Sequence, residues 1–218
     1  MSDAEQRLAD VQAGLDRACR DAARSETPLL VAISKTFDAD AIRPLIAAGQ
    51  RHFGENRVQE AQAKWPAMMA ETPGITVHLV GQLQSNKAAE AVALFDVIHS
   101  VDRPSLVTAL AKAQAAAGKH PACYLQVNIG DEEQKGGCAL SDLPALLAQA
   151  REAGLNVVGL MCVPPAAVEP APYFALLAEH AKRLGLAGLS MGMSSDYETA
   201  ALLGSTVVRV GSALFGSR

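Results

Sequence analysis

Hydrophobic positions follow two alternating rhythms along this chain of 218 residues. Short apolar and β-branched runs occupy 29–34, 52–54, 76–81, 96–101, 123–129, 156–162, 186–192 and 206–211. Runs of that length are too short for helices and predict buried strands. Between them lie Ala- and Leu-rich stretches in which apolar residues recur at helical spacing. They predict helices near 40–48, 56–70, 86–94, 103–117, 141–153, 170–184 and 195–203. One more amphipathic segment, 3–24, precedes the first strand, with Leu8, Val11, Leu15, Ala18 and Ala22 on one face.

Local signals agree with these boundaries. Gly49, Gly118, Gly154 and Gly204 each close a helical stretch, where a left-handed C-terminal residue is favoured. Pro104, just after Asp102, suits a first helical turn. Ser195 and Glu198 have capping-box spacing, which places a helix start at Ser195. Eight strand runs alternating with helices predict an α/β fold: a single (β/α)8 barrel with an extra N-terminal helix. A doubly wound open sheet shares the alternation, but no G-x-G-x-x-G follows the first strand. No linker rich in Pro, Gly or Ser divides the chain, so residues 1–218 read as one domain and "VPPAAVEPAP" (163–172) as a barrel loop.

Composition narrows the function classes. Half the residues are hydrophobic and 19% are charged, enough for a buried core. A formal net charge of -4 and only 4% aromatic residues argue against a nucleic-acid surface. The cysteines Cys19, Cys123, Cys138 and Cys162 form no C-x-x-C, and the histidines form no H-x-x-x-H, so no metal is expected. The polar N-terminus lacks a signal-peptide core, and no apolar run reaches membrane-spanning length. The expected setting is the cytoplasm, with no membrane partner and reduced thiols.

In a barrel, chemistry gathers where strands end. The first strand ends in Ser34-Lys35-Thr36. A lysine lodged against a barrel core is desolvated, which frees a neutral amine able to attack an aldehyde. The plain alternative has Lys35 snorkelling to solvent or pairing with a carboxylate such as Glu55. The last two strands run into "SMGMSSD" and "RVGS", where barrels often bind phosphate. Gly192 and Gly211 allow close backbone approach, and Ser190, Ser194 and Ser212 offer hydroxyls, although glycine and serine also serve ordinary turns. Arg209 lies between Val208 and Val210 and faces opposite to both. Buried there, it needs a barrel carboxylate or a ligand as partner. Asn56, Asn128 and the "QLQSNK" residues Gln82, Gln84, Asn86 and Lys87 can orient a ligand or merely cap strand ends, and Asp131, Glu132 and Glu133 read as a solvated loop. An aldehyde-reactive lysine, a phosphate cup and an arginine at one barrel mouth together fit pyridoxal 5′-phosphate (PLP).

The segments "AISKTF", "AAGQRHFGENRVQEAQAKW", "HLVGQLQSNK", "SVDR", "VNIGDEEQKGG", "GLMCVPP", "LSMGMSSD" and "VRVGSALFG" together resemble the pyridoxal phosphate homeostasis protein family, relatives of the alanine racemase N-terminal barrel. The resemblance runs from the first helix to Gly216. It implies a fold-type III PLP barrel with Lys35 as the Schiff-base lysine. It implies phosphate contacts at Ser190, Gly211 and Ser212, a loop completed by Gly192, Met193 and Ser194, Arg209 at the pyridine nitrogen, and Asn56 beside the ring. The family often has threonine where Ser212 stands, and an acidic residue or asparagine where Ser195 stands. It is understood as carriers or regulators of cofactor and amino-acid pools, with PLP-dependent apo-enzymes as candidate recipients.

An arginine at the pyridine nitrogen disfavours ring protonation and weakens the electron sink that a carbanion needs. Related racemases use a lysine and a tyrosine on opposite faces, the tyrosine arriving with a further domain and its dimer. Here the chain stops at Arg218, and its tyrosines are Tyr124, early in the fifth strand, and Tyr173 and Tyr197 in helical stretches. The expectation is therefore a monomeric PLP carrier or regulator with no catalytic residues. A weak amino-acid racemase is the first alternative, and a class I aldolase using Lys35 without PLP the second.

Overall fold

A computed structural model describes residues 2–166 and 168–216. Eight strands, β1 (Leu29–Ile33), β2 (His52–Glu55), β3 (Thr76–Leu79), β4 (Val97–Val101), β5 (Ala122–Val127), β6 (Asn156–Cys162), β7 (Gly188–Ser190) and β8 (Val207–Val210), lie parallel and in chain order. β8 pairs back onto β1, with Val31 opposite Arg209, so the sheet closes into a barrel and the open doubly wound sheet is excluded. The outer layer holds α1 (Asp3–Asp21), α2 (Ala39–Ala47), α3 (Val58–Glu71), α4 (Ala88–Leu94), α5 (Pro104–Ala117), α6 (Leu143–Glu152), α7 (Ala171–Arg183), α8 (Tyr197–Leu202) and α9 (Ser212–Phe215).

The N-terminal helix has a structural task. Among the described residues only the four-residue α9 follows β8, short of a full barrel helix. α1 fills the place, packing against α2, α8 and α9 through a face that buries Val11, Leu15, Ala18 and Cys19. A capping box fixes its start: Glu5 N donates to Ser2 Oγ (3.2 Å), and Ser2 N donates to Glu5 Oε2 (2.6 Å).

The other predicted box, Ser195 with Glu198, does not form. α8 starts at Tyr197, with Asp196 as its capping residue. Asp196 Oδ1 instead accepts the Met193 N–H (2.6 Å), and Glu198 is taken by Arg17 of α1 at 3.0 Å. Pro104 does open α5, with Arg103 before it and Asp102 paired to that arginine.

Strand alternation separates two cores. Outward residues such as Phe53, Ile98, Leu125, Val208 and Val210 pack with Trp65, Phe95, Leu110 and Phe174 of the helical layer. The barrel interior holds a small apolar cluster of Val31, Tyr124, Met161 and Val207. Buried polar side chains, His78, His99, Ser190 and Arg209, occupy the rest. Gly188 makes room for them, since a Cβ there would lie 2.9 Å from the Tyr124 ring, which stacks on His99 at 4.6 Å. Among the described residues no helix is long and apolar enough to cross a membrane.

Candidate functional site

A cleft of about 600 Å³ opens at the C-terminal end of the barrel, within the usual size range of small-molecule sites. It is lined by Ile33, Lys35, Phe37, Met193, Ser194, Ser195, Arg209, Gly211, Ser212 and Gly216. These residues come from the loops after β1, β7 and β8, so barrel closure joins the two ends of the chain in one site. Phe37 and Phe215 stack with centroids 4.4 Å apart, tying the β1 loop to α9.

Lys35 lines this cleft but is exposed, reaching solvent rather than lodging against the barrel core. The cause is local. β1 ends at Ile33, Ser34 turns outward beneath α3, and Lys35 emerges at the open mouth rather than against a wall. The alternative pairing with Glu55 is also excluded. Glu55 is the last residue of β2, faces outward like Phe53, and is held by Lys64 (2.8 Å), Ser34 Oγ (2.7 Å) and Trp65 Nε1 (2.9 Å). Thr36 has φ of 66°, unusual for a β-branched residue. Its N–H donates to Glu60, which offsets a backbone cost of about 1–3 kcal/mol.

The loops after β7 and β8 are stitched together. Gly192 has φ of 96°, and a Cβ there would meet that of Ala200 at 2.5 Å, so only glycine fits. Its carbonyl accepts the Arg209 N–H (2.9 Å). Ser194 Oγ accepts from Gly211 N (3.1 Å) and Ala213 N (3.4 Å). Hydroxyls and backbone N–H groups thus share one side of the cleft, a chemistry that suits an anion.

Arg209 forms the floor. Nη1 donates to Ser190 Oγ (2.6 Å) and Nη2 to the Cys162 carbonyl (2.9 Å). No described carboxylate pairs with it, and burial pushes its pKa down. The ion-pair alternative is thereby removed. Ser190 is fully buried below the mouth, so it supports Arg209 and does not line the cleft.

Behind Ser190 runs a chain that sequence reading missed. His99 Nδ1 lies 2.8 Å from Ser190 Oγ, His78 Nδ1 lies 2.9 Å from His99 Nε2, and His52 Nδ1 lies 3.1 Å from His78 Nε2. Arg209 only donates, so the Ser190 proton is free to go to His99 Nδ1. The Nε2–H of His99 then donates to His78 and that of His78 to His52, so the two buried rings are satisfied while neutral. Burial holds His78 down to about 3 and His99 well below its ordinary value, and lowers His52 as well.

Acid stability follows from this. Unfolded histidines titrate near 6.5, so between that pH and about 3 the unfolded chain binds protons that the fold refuses. The stabilisation is complete above the unfolded pKa and is lost as pH falls toward the folded one. The expected loss is about 1.4 kcal/mol per pH unit for each fully refused proton, and about 2.7 kcal/mol for His78 and His99 together. Urea titrations stepped from pH 7 to pH 4 check it; proton uptake on unfolding well below two near pH 5 would contradict the neutral chain.

The remaining candidates lie elsewhere. Asn56, Gln82, Gln84 and Lys87 line a separate hollow of about 430 Å³ together with Arg57, and not the Lys35 cleft. Asn128 closes its own loop through the Glu132 carbonyl (2.9 Å) and N–H (3.1 Å). Glu132 is half-buried and pairs with Lys135, unlike the exposed Asp131 and Glu133, so the loop is only partly solvated. Tyr124, Tyr173 and Tyr197 all lie away from the cleft lining. The cysteines are free and buried, with Cys123, Cys138 and Cys162 pushed up to about 12 by burial. Among the described residues no group of three His, Cys, Asp or Glu is placed to hold a metal.

Known proteins define the class first: residues 15–218 match the alanine racemase N-terminal domain family. A pyridoxal phosphate homeostasis protein of Pseudomonas aeruginosa is 41% identical over 226 residues, spanning 100% of this chain and 97% of the relative. PipY of Synechococcus elongatus PCC7942, without PLP, superposes with a TM-score of 0.87 at 41% identity, covering 97% of this chain and 99% of PipY. The PipY structure with PLP bound gives 0.84 at 40% identity, covering 98% and 100%. This chain belongs to the pyridoxal phosphate homeostasis protein family.

Proposed function

We propose that this protein binds PLP in the Lys35 cleft, holds it covalently through Lys35, and acts in PLP homeostasis as a carrier or regulator. The observation that carries this reading is the cleft itself: one lysine, a double glycine–serine loop and a buried arginine floor, with no acidic residue among its described lining. That donor set fits a phosphorylated aldehyde, and PLP-bound PipY shares the fold. When bound, PLP supplies an aldehyde that condenses with a lysine amine, releasing water.

The chain's own residues divide the work. Ser194, Gly211 and Ser212 hold the phosphate, with Gly192 and Met193 shaping the loop. Arg209, a donor only, meets an unprotonated ring nitrogen. Ser190 and His99 keep the guanidinium in place. Asn56, in its own hollow, has no part in this division. Every group comes from one chain, so a monomer suffices, and PLP-dependent apo-enzymes are the partners this reading calls for. Lys35 and Arg209 are the only ionisable side chains among the described lining residues, which favours a carrier over a racemase. Racemisation needs a proton donor on each face of the substrate carbon.

The test is a visible spectrum of purified protein supplied with PLP, followed by borohydride reduction and mass analysis of the Lys35 peptide. The expected result is a yellow protein with one label on Lys35. Colourless protein, or label elsewhere, would overturn the reading. Fast α-proton exchange with interconversion of amino-acid enantiomers would establish the racemase instead.

A further inference from the structure

The turn that carries Lys35 is held from outside the barrel by one side chain of α3. Lys64 Nζ donates to the carbonyl oxygens of Ser34 (2.8 Å) and Phe37 (2.9 Å), the residues that bracket Lys35 and Thr36. The same ammonium lies 2.8 Å from Glu55 Oε1 and 3.2 Å from Glu60 Oε1. Glu55 is wholly buried and also accepts the Ser34 hydroxyl. Glu60 also accepts the Thr36 N–H. The main chain on both sides of Lys35 is therefore fixed, while the Lys35 side chain points into the cleft.

Lys64 is only 10% exposed, and burying its charge is unfavourable unless the geometry needs it. Barrel closure does not need it, because β1 ends at Ile33 and already pairs with β2 and β8. Packing under α3 does not need it either, since Trp65 and Ala61 fill that layer. What an ammonium supplies, and an apolar side chain cannot, is convergence on two carbonyls and two carboxylates.

We propose that Lys64 is a positioning residue for covalent capture at Lys35, setting the Ser34–Phe37 turn so that the Lys35 amine meets the aldehyde. This rests on the reading of Lys35 as the tether. In the capture step the Lys35 ammonium releases one proton to solvent, and its nitrogen forms a C=N bond to the aldehyde carbon. The carbonyl oxygen leaves as one water. Lys64 exchanges no proton and forms no bond in this step.

The test uses the full chain, Lys64→Met, and the double variant Glu55→Gln/Lys64→Met, which leaves no lone buried carboxylate at that position if the single variant folds poorly. Two quantities are measured: the rate of borohydride-trapped attachment at Lys35, and the affinity for 4-deoxypyridoxine 5′-phosphate, which has the ring and phosphate but no aldehyde. The expected result is a rate lowered about tenfold or more, with analogue affinity unchanged within about twofold. A merely structural role would lower both together, and that outcome overturns the proposal, as does an unchanged rate in both variants. Wild-type protein that shows no attachment at Lys35 fails the functional reading and this proposal with it. Wild-type attachment with unaffected variants sinks the Lys64 role alone.

Discussion

Lys35→Ala is expected to keep the barrel and lose the bound cofactor. The lysine is exposed at the cleft and lies beyond the end of β1, so its removal takes nothing from either core. Surface changes of that kind shift stability by about 0.5 kcal/mol or less, a change of a few degrees at most in the thermal midpoint. The turn also survives, because Lys64 and Glu60 hold its backbone and not the Lys35 side chain. Retention behaves differently. Under the proposed function the covalent link would turn escape of PLP into a two-step event, and without it the loops after β7 and β8 and Arg209 would be left to hold the cofactor. Loss of a well-oriented covalent partner is expected to weaken retention by about a hundredfold or more. Gel filtration followed by a spectrum and a melting curve reads both quantities. A variant that stays yellow through the column would show that another lysine is the tether. A variant that unfolds would show that Lys35 has a structural role which its exposure conceals.

How far the sequence carried this site depended on strand phase. The alternation of short apolar runs with amphipathic stretches was enough for the barrel, because closure needs only the count and order of βα units. Lys35, Ser194, Arg209, Gly211 and Ser212 were legible because loops after terminal strands meet in a closed barrel. Three features were not. Ser190 ends a strand of only three residues, too short to show which side faces inward, so its burial against Arg209 and outside the cleft lining did not show. Glu55 stood just past the apolar run 52–54 and offered a partner for Lys35, but it is the last outward position of β2, in phase with Phe53. The histidine chain draws on β2, β3 and β4 and ends on β7, and those residues become neighbours only through the stagger of the closed sheet. Its one sequence signal was a lone histidine in each of three successive strands, which a search for metal spacing passes over.

Arg209→Met separates stability from function most sharply. The guanidinium is buried, desolvation pulls its pKa down, and it has no ion-pair partner among the described residues. Desolving such an ion costs several kcal/mol, and the two hydrogen bonds to Ser190 and Cys162 return about 1.5–3 kcal/mol each. Methionine keeps an unbranched chain of similar reach and adapts to irregular space. Ser190 would keep His99 as partner, leaving the Cys162 carbonyl as the one orphan, at about 1–3 kcal/mol. Replacement of buried charge by well-packed apolar groups is often stabilising by about 1–4 kcal/mol, and a gain at the lower end of that range is expected. PLP affinity should fall at least about tenfold, since the guanidinium on the cleft floor is gone. Urea unfolding without PLP and equilibrium titration with PLP measure the two effects independently. Arg209→Lys is the control: it keeps the charge but cannot bridge Ser190 and Cys162 in a rigid fork, so it should lose affinity without gaining stability. If Arg209→Met instead destabilises the PLP-free protein by several kcal/mol, the arginine is a structural brace whose hydrogen bonds outweigh its desolvation, and the argument that it is buried for the cofactor fails.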